Sequence, residues 1–435
     1  MAMHLKSSMP ILACALATLT PSLAAADALD PHTKFYTPDS KPAAYAQIQQ
    51  LKRHHQRDDA ELIQKLIDTP HAAWFTGGTP REVTKDVKKL LRVATAHREV
   101  PVLVAYNIPF RDCAQFSAGG ATSVEEYLDW IDAFAKGIGS SKAIVILEPD
   151  GLGIIPWYNP FAARDSWEAD PNKLEWCQPA EADPATAAAD RFFMLHYAVT
   201  KLKALGGTRV YMDGTHTGWL GSGDAADRLY QAGVSEADGF YLNASNYRSE
   251  EQLVKYGTWV SKCLWFGDSA SGSWGAGHFE WCGSQYSPAN PGDFSTWGLT
   301  DDWYTNNVES QTWVPYPGDE GLKRFVIDTS RNGEGPWTPT AAYSDPQDWC
   351  NPPGRGVGLT PSANTGVSLL DATLWIKVPG ESDGECNRGL GPAGTTVDPE
   401  WGLIDPAAGD WFPQMALQLA HNASPSLLSC GRSGH

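Results

Sequence analysis

Positive charge is scarce in this chain of 435 residues, with 33 Lys and Arg against 51 Asp and Glu and a formal net charge of −18. Nucleic acid and anionic membrane surfaces both require clustered Lys and Arg, so neither is expected as a partner. An anionic polysaccharide suits the charge no better, and a neutral substrate fits best. No CxxC pair occurs, so a structural zinc centre is not expected, nor any other metal. No P-loop or GxGxxG follows a strand-like run, which leaves no nucleotide cradle and no cofactor to predict. Past residue 26 no stretch is long and apolar enough to span a bilayer. Repeats, low-complexity tracts and Pro/Ser/Thr linkers are also missing, so one domain acting as a monomer is the simplest expectation.

The N-terminus has the order of a secretory leader: Lys6, an apolar run from Pro10 to Leu19, then Ala24-Ala25-Ala26 before Asp27. The expectation is a signal peptide over residues 1–26, a single catalytic domain over 27–435, and an extracellular protein. Seven cysteines then remain: Cys113, Cys177, Cys263, Cys282, Cys350, Cys386 and Cys430. In an exported chain these read as disulfides, with one thiol left over.

Helix-like and strand-like segments alternate. Amphipathic patterns cover Ala43–Asp68, Arg81–His97, Val124–Gly137, Pro184–Leu205 and Asp224–Ala232. Between them lie short apolar runs at His71–Phe75, Val102–Tyr106, Ala143–Leu147, Arg209–Met212, Gly239–Leu242, Phe325–Ile327 and Leu374–Val378. Continuous apolar runs of this length suit parallel strands buried on both faces, in an α/β barrel or a doubly wound sheet. Polar residues collect just beyond them: Arg111-Asp112, Glu148-Pro149-Asp150, Asp213, Asn243, Asp328 and Glu381-Ser382-Asp383. That is where barrel enzymes assemble their sites.

The chain has 18 tryptophans, many outside the periodic segments. Any one of them could simply pack a loop onto the barrel. Together with loop Gly, Asn and Asp they suit sugar binding, because a pyranose ring has an apolar face that stacks on indole. Glycoside hydrolysis would then need one carboxyl kept protonated and a second group to handle water. Asp150 follows a strand directly, and Asp112 ends the neighbouring one, near enough to raise its pKa.

These residues stand in longer runs that resemble glycoside hydrolase family 6: Tyr106-Asn107-Ile108-Pro109-Phe110-Arg111-Asp112-Cys113, Ile146–Leu152, Val210–Gly221, Ile327–Gly333, Trp349-Cys350-Asn351 and Asp371–Gly384. The runs follow the family's order from about Trp74 to the C-terminus. The resemblance implies a distorted parallel α/β (TIM-like) barrel and an inverting cellulase acting on cellulose and cello-oligosaccharides. It implies Asp150 as general acid, Asp112 as the group that keeps it protonated and assists the water chain, and Asp383 as base. It places Asp213, Tyr106 and Ser117 in the same centre. Trp74, Trp219 and Trp349 match stacking platforms, and His216, Asn243, Lys377 and Glu381 match hydroxyl-binding positions. It implies the disulfides Cys113–Cys177 and Cys350–Cys386. Cys263 and Cys282 have no counterpart in the family pattern and are expected to form a third, leaving Cys430 free. Two departures stand out: Ser222 where cellobiohydrolases can carry an outer Trp, and Asn107 where some members have Asp.

Three segments are far longer than ordinary barrel loops: Gly151–Asp183, Leu264–Glu320 and Gly384–Gly409. The middle one holds Trp265, Trp274, Trp281, Trp297, Trp303 and Trp313. They are expected to roof an active-site tunnel, which favours a cellobiohydrolase releasing cellobiose from non-reducing ends. The alternatives are an open-cleft endo-β-1,4-glucanase, a hydrolase of xylan or mixed-linkage glucan, and a non-catalytic glucan-binding protein.

Overall fold

The computed structural model describes residues 27–160, 174–312 and 314–428. The expected leader, Trp313, Cys430 and part of the loop following Asp150 lie outside the described residues. The helical stretch expected over Ala43–Asp68 forms two helices, α1 (Pro42–Arg53) and α2 (Arg57–Asp68). The chain turns between them at His55, whose φ is 62°. The turn lets Ile48, Leu51, Ile63 and Leu66 share one apolar cluster with Trp411 and with Leu419 of α9 (Pro413–His421). The charged residues of both helices take the outer side, as an amphipathic pair requires.

Seven strands follow one another across a single sheet, every neighbouring pair parallel. They are β1 (Ala73–Phe75), β2 (Val102–Ala105), β3 (Ala143–Leu147), β4 (Thr208–Asp213), β5 (Gly239–Leu242), β6 (Arg324–Asp328) and β7 (Leu370–Leu374). The sheet curls into a half-barrel. Val104, Ile146, Tyr211, Tyr241 and Val326 fill the inside. Leu103, Val145, Met212, Phe240 and Phe325 face outward. There they meet α3 (Pro80–His97), α4 (Val124–Ile138), α5 (Ala187–Lys203), α6 (Ser222–Gln231) and α7 (Glu250–Gly267). Both faces are therefore buried, which explains the unbroken apolar runs. Between the edge strands, Ala72 N–H reaches Trp375 O at 2.9 Å and Trp74 Nε1–H reaches Ile376 O at 2.8 Å.

Two sequence expectations need correction. The last strand lies at Leu370–Leu374 rather than Leu374–Val378. Asp371 reads as a strand breaker but is buried at the foot of the barrel, where Arg324 pairs with it and Tyr211 Oη–H donates to it at 2.7 Å. The run after Leu374 stays buried without forming a strand. The second correction concerns Leu264–Glu320, which packs sideways against α6 and α7 instead of arching over the barrel. Trp297 lies on Trp259 at 5.3 Å, and Trp274 and Trp303 meet Phe266 at 4.8 and 5.8 Å. It also contains the short α8 (Gly298–Tyr304). Helix α7 itself was not read from the sequence. Three disulfides are present, Cys113–Cys177, Cys263–Cys282 and Cys350–Cys386, in the expected pairing.

Candidate active site

The loops beyond the carboxyl ends of the strands hold almost all the strained backbone. Among the described residues, fourteen non-glycine positions have positive φ, and all but His55 and Arg98 lie in these loops. Asp112 (56°), Glu148 (49°) and Asp150 (63°) are among them. Such conformations persist where surroundings over-determine them, as at functional sites.

The surroundings that do so are three buried carboxylates used as braces. Glu148 accepts the N–H groups of Asn107 at 2.9 Å and Ile108 at 3.0 Å, tying the loop after β2 to that after β3. Asp213 accepts from Thr215 at 2.9 Å, Gly153 at 3.1 Å and Leu152 at 3.2 Å, holding the segment just past Asp150. Asp328 accepts from Ser245, Ser330, Ile376 and Lys377 at 2.9 to 3.1 Å, joining the loops after β5, β6 and β7. Arg191, wholly buried, adds donors to Pro109 O, Gly151 O and Ile154 O.

Over this frame lies a cavity of about 390 Å³. Ten of the residues expected in the site line it: Asp112, Asp150, Asp383, Tyr106, Ser117, Trp74, Trp219, His216, Trp349 and Lys377. Trp74, Tyr106, Ser117 and Lys377 also line a second cavity of about 800 Å³, as does Glu381. Asp213 and Asn243 do not line either cavity. Asp213 is spent on the backbone as described. Asn243 is buried, donating to Asp328 O at 2.9 Å and accepting from Arg248 N–H at 2.9 Å. Both belong to the frame behind the cavity wall, and Asp213 is also the neighbouring charge that raises the pKa of Asp150 most. No described residue of Leu264–Glu320 lines the cavity either, so the tunnel roof expected from that segment is not formed by its described residues.

The carboxyls that face the cavity differ in charge state. Burial raises the pKa of Asp150 well above the usual range, and Asp213, Asp112 and Asp383 raise it further, against a smaller opposing pull from Lys377. Burial also lifts Asp112 to about 6, despite the Ser117 N–H at 2.7 Å and nearby Arg111. Asp383 goes the other way. Burial alone would raise it, but Arg331 at 2.8 Å, Lys377 at 3.3 Å and Asn351 N–H at 3.0 Å hold it below the ordinary value. A carboxyl kept neutral opposite one kept ionised is the pairing that acid–base chemistry needs.

The aromatic platforms are fixed. Trp74 is anchored through its indole N–H and meets Tyr106 edge-on at 5.4 Å. Trp219 lies over Gly153, where a Cβ would come within 2.4 Å of the indole, so only glycine allows the ring to sit there. His216 accepts from Gly218 N–H at 3.1 Å through Nδ1, and burial with nearby Arg248 lowers its pKa to about 3. It is thus a neutral donor through Nε2 at any working pH. Ser222 is buried and donates to Gly283 O at 2.6 Å, so no platform projects from that position.

This geometry can be set beside known proteins. The family model described as Glycosyl hydrolases family 6 matches residues 30–423. The chain belongs to family 6. Endoglucanase A of Cellulomonas fimi is 32% identical over 366 residues, 84% of this chain and 57% of the relative. The 1,4-beta-D-glucan cellobiohydrolase C of Emericella nidulans is 30% identical over 346 residues, 74% of this chain and 61% of the relative. The chain thus spans little more than half the length of these two relatives. The solved endoglucanase Cel6 of Mycobacterium tuberculosis, in complex with methyl-cellobiosyl-4-deoxy-4-thio-β-D-cellobioside, is 30% identical with a TM-score of 0.60. That match covers 90% of this chain and 97% of the other.

Sequence reasoning on this family 6 chain missed several residues. Arg331 lay inside a matched run, and a buried carboxylate such as Asp383 demands a cation, so it could have been found. Trp176 and Arg248 also line the cavity, and no pattern pointed to them. Trp337, one of the loop tryptophans counted toward sugar binding, lines it as well. Among the described residues, no group of three or more His, Cys, Asp and Glu side chains could hold a metal ion.

Proposed function

We propose that this protein is a secreted cellulase that hydrolyses β-1,4-glucosidic bonds with inversion, cutting chains internally. The observation that carries the chemistry is the opposite charge state of Asp150 and Asp383 over one cavity. Asp150, whose proton is held above the ordinary carboxylate range by burial and the neighbouring aspartates, gives it to the glycosidic oxygen as the bond to the anomeric carbon breaks. Asp383, ionised beside Arg331 and Lys377, accepts a proton from the water that attacks the opposite face, directly or through a second water. Asp112 keeps negative charge near Asp150 and so delays its ionisation. Trp74 and Trp219 take the apolar faces of sugars on either side, with His216, Lys377 and Glu381 for hydroxyls. The three disulfides fit an exported protein.

Internal cutting is favoured by two features. Among the described residues, none of the longest insertion lines the cavity, and a second cavity shares the wall at Trp74, which offers a chain room on its other side. Exo action keeps one observation in its favour: Trp176 and Trp337, from loops after β3 and β6, line the same cavity and could cover it. The test is paired, on one purified sample: viscosity of soluble carboxymethylcellulose, and sugars released from amorphous cellulose. A rapid fall in viscosity is expected. Cellobiose with little fall would mean exo action, and no signal from either would sink the glucan reading.

A further inference from the structure

Asp383 is gripped by a neighbour that is itself gripped from behind. Asn351, wholly buried with a φ of 39°, accepts from Asp383 N–H at 2.8 Å through Oδ1 and donates its own N–H to Asp383 Oδ2 at 3.0 Å. Its Nδ2 points the other way, to Ser382 Oγ and Gly384 O at 2.9 Å and to Asp405 Oδ2 at 2.8 Å. Asp405 belongs to the far limb of the Gly384–Gly409 loop and is buried, and its Oδ1 reaches no nitrogen donor.

The charged groups facing Asp405 are Asp398 and Arg388 of the same loop, while Asn351, from the loop after β6, is neutral. The guanidinium is committed to Asp398, with Nε at 3.2 Å and Nη2 at 2.7 Å. Asp398 also accepts from Glu400 N–H at 2.9 Å. On the outer side of Arg388, Glu400 pairs with the Tyr343 hydroxyl. One cation therefore serves two buried carboxyls and is taken by the first. The second keeps its proton and can share it with Asp398. Burial, followed by Asp398, lifts Asp405 to about 7.

We propose that Asp405 is a positioning residue for the reaction: its carboxyl holds the Asn351 carboxamide, and through it both the backbone and the carboxylate of Asp383, in the orientation that meets the attacking water. This rests on the reading of Asp383 as base. Once Asp405 ionises, two anions share one guanidinium, and the repulsion between Asp405 and Asp398 displaces the loop that backs Asn351.

Asp405→Asn has the shape of the protonated acid, with an oxygen for Asn351 and an N–H for Asp398. It should keep kcat at pH 5 within about twofold and hold activity to higher pH than the wild type. Asp405→Ala should lose about tenfold or more in kcat with KM little changed, within the hundredfold that a misplacement of about 1 Å can cost. A folded Asp405→Ala with wild-type kcat overturns the proposal. So does an Asp405→Asn variant as impaired as the alanine, or one whose alkaline limb is unmoved. Asp383→Ala, measured alongside, separates the two readings: if it stays active the base assignment fails, whereas its inactivity beside an unaffected Asp405→Ala removes the positioning role alone.

Discussion

The two walls of the cavity are built from the same residue type and behave oppositely. The wall formed by the loops after β2 and β3 carries Asp112 and Asp150, with Arg111 largely turned to backbone carbonyls at Thr76, Tyr106 and Ser117. The wall formed by the loops after β6 and β7 carries Asp383 among Arg331 and Lys377. Burial penalises the charged carboxylate on both sides. Where cations are withheld, the proton stays; where two converge, it leaves. On the proposed function, acid and base are thus set by the placement of arginine and lysine more than by the aspartates themselves.

The most severe way to break this contrast is Asp150→Ala. Turnover on unactivated glucan should fall by about 10² to 10⁴ while cellulose binding persists, and near-wild-type turnover would remove Asp150 as the donor. Next comes Arg331→Gln. It takes the nearest cation from Asp383, whose pKa should rise, so the acid limb of the kcat profile should move to higher pH. Because it also breaks a buried ion pair, stability should fall by about 3–5 kcal/mol, read in a denaturant titration. Asp112→Asn sharpens the contrast from the other side. Without that negative charge Asp150 should ionise earlier, and the alkaline limb should move to lower pH. The smallest effect is expected from Trp219→Ala, which loses stacking on the order of 1 kcal/mol and should raise KM several-fold with the pH limbs unmoved.

Stability should divide along the same line. Asp150 has its pKa raised on folding, so its contribution is present at low pH and is lost as pH rises through the folded value. Asp383 has its pKa lowered, so its contribution is lost as pH falls through the folded value. Thermal melts of Asp150→Asn should therefore lose part of the alkaline destabilisation and leave the acid side alone.

Much of this was legible in the sequence because strand ends are marked twice, by an apolar run and by the polar residue that follows. Asp112, Asp150 and Asp383 were found in that way. The same mark could not say that Asp213 and Asn243 stand behind the cavity wall, because a carboxylate bonded to backbone N–H groups has the same letter as one facing a ligand. The β7 boundary was lost for a related reason: Asp371 is compensated by Arg324 and Tyr211, which are distant in sequence. The role of Leu264–Glu320 was misjudged because tryptophan content cannot say whether an indole faces a cavity or, like Trp297, another helix. Asp405 gave no signal at all, since its meaning depends on which of two acids Arg388 reaches first.

The anchoring of Trp74 across the seam of the sheet has a mechanical consequence. Among the described residues the half-barrel has no strand pairing between its edges, and the indole N–H bond to Ile376 is a tie that spans the gap. The platform is therefore also a keystone. On the proposed function, a glucan chain pressing on its face would load the joint between first and last strands, and the grip on the sugar and the closure of the barrel would become one quantity.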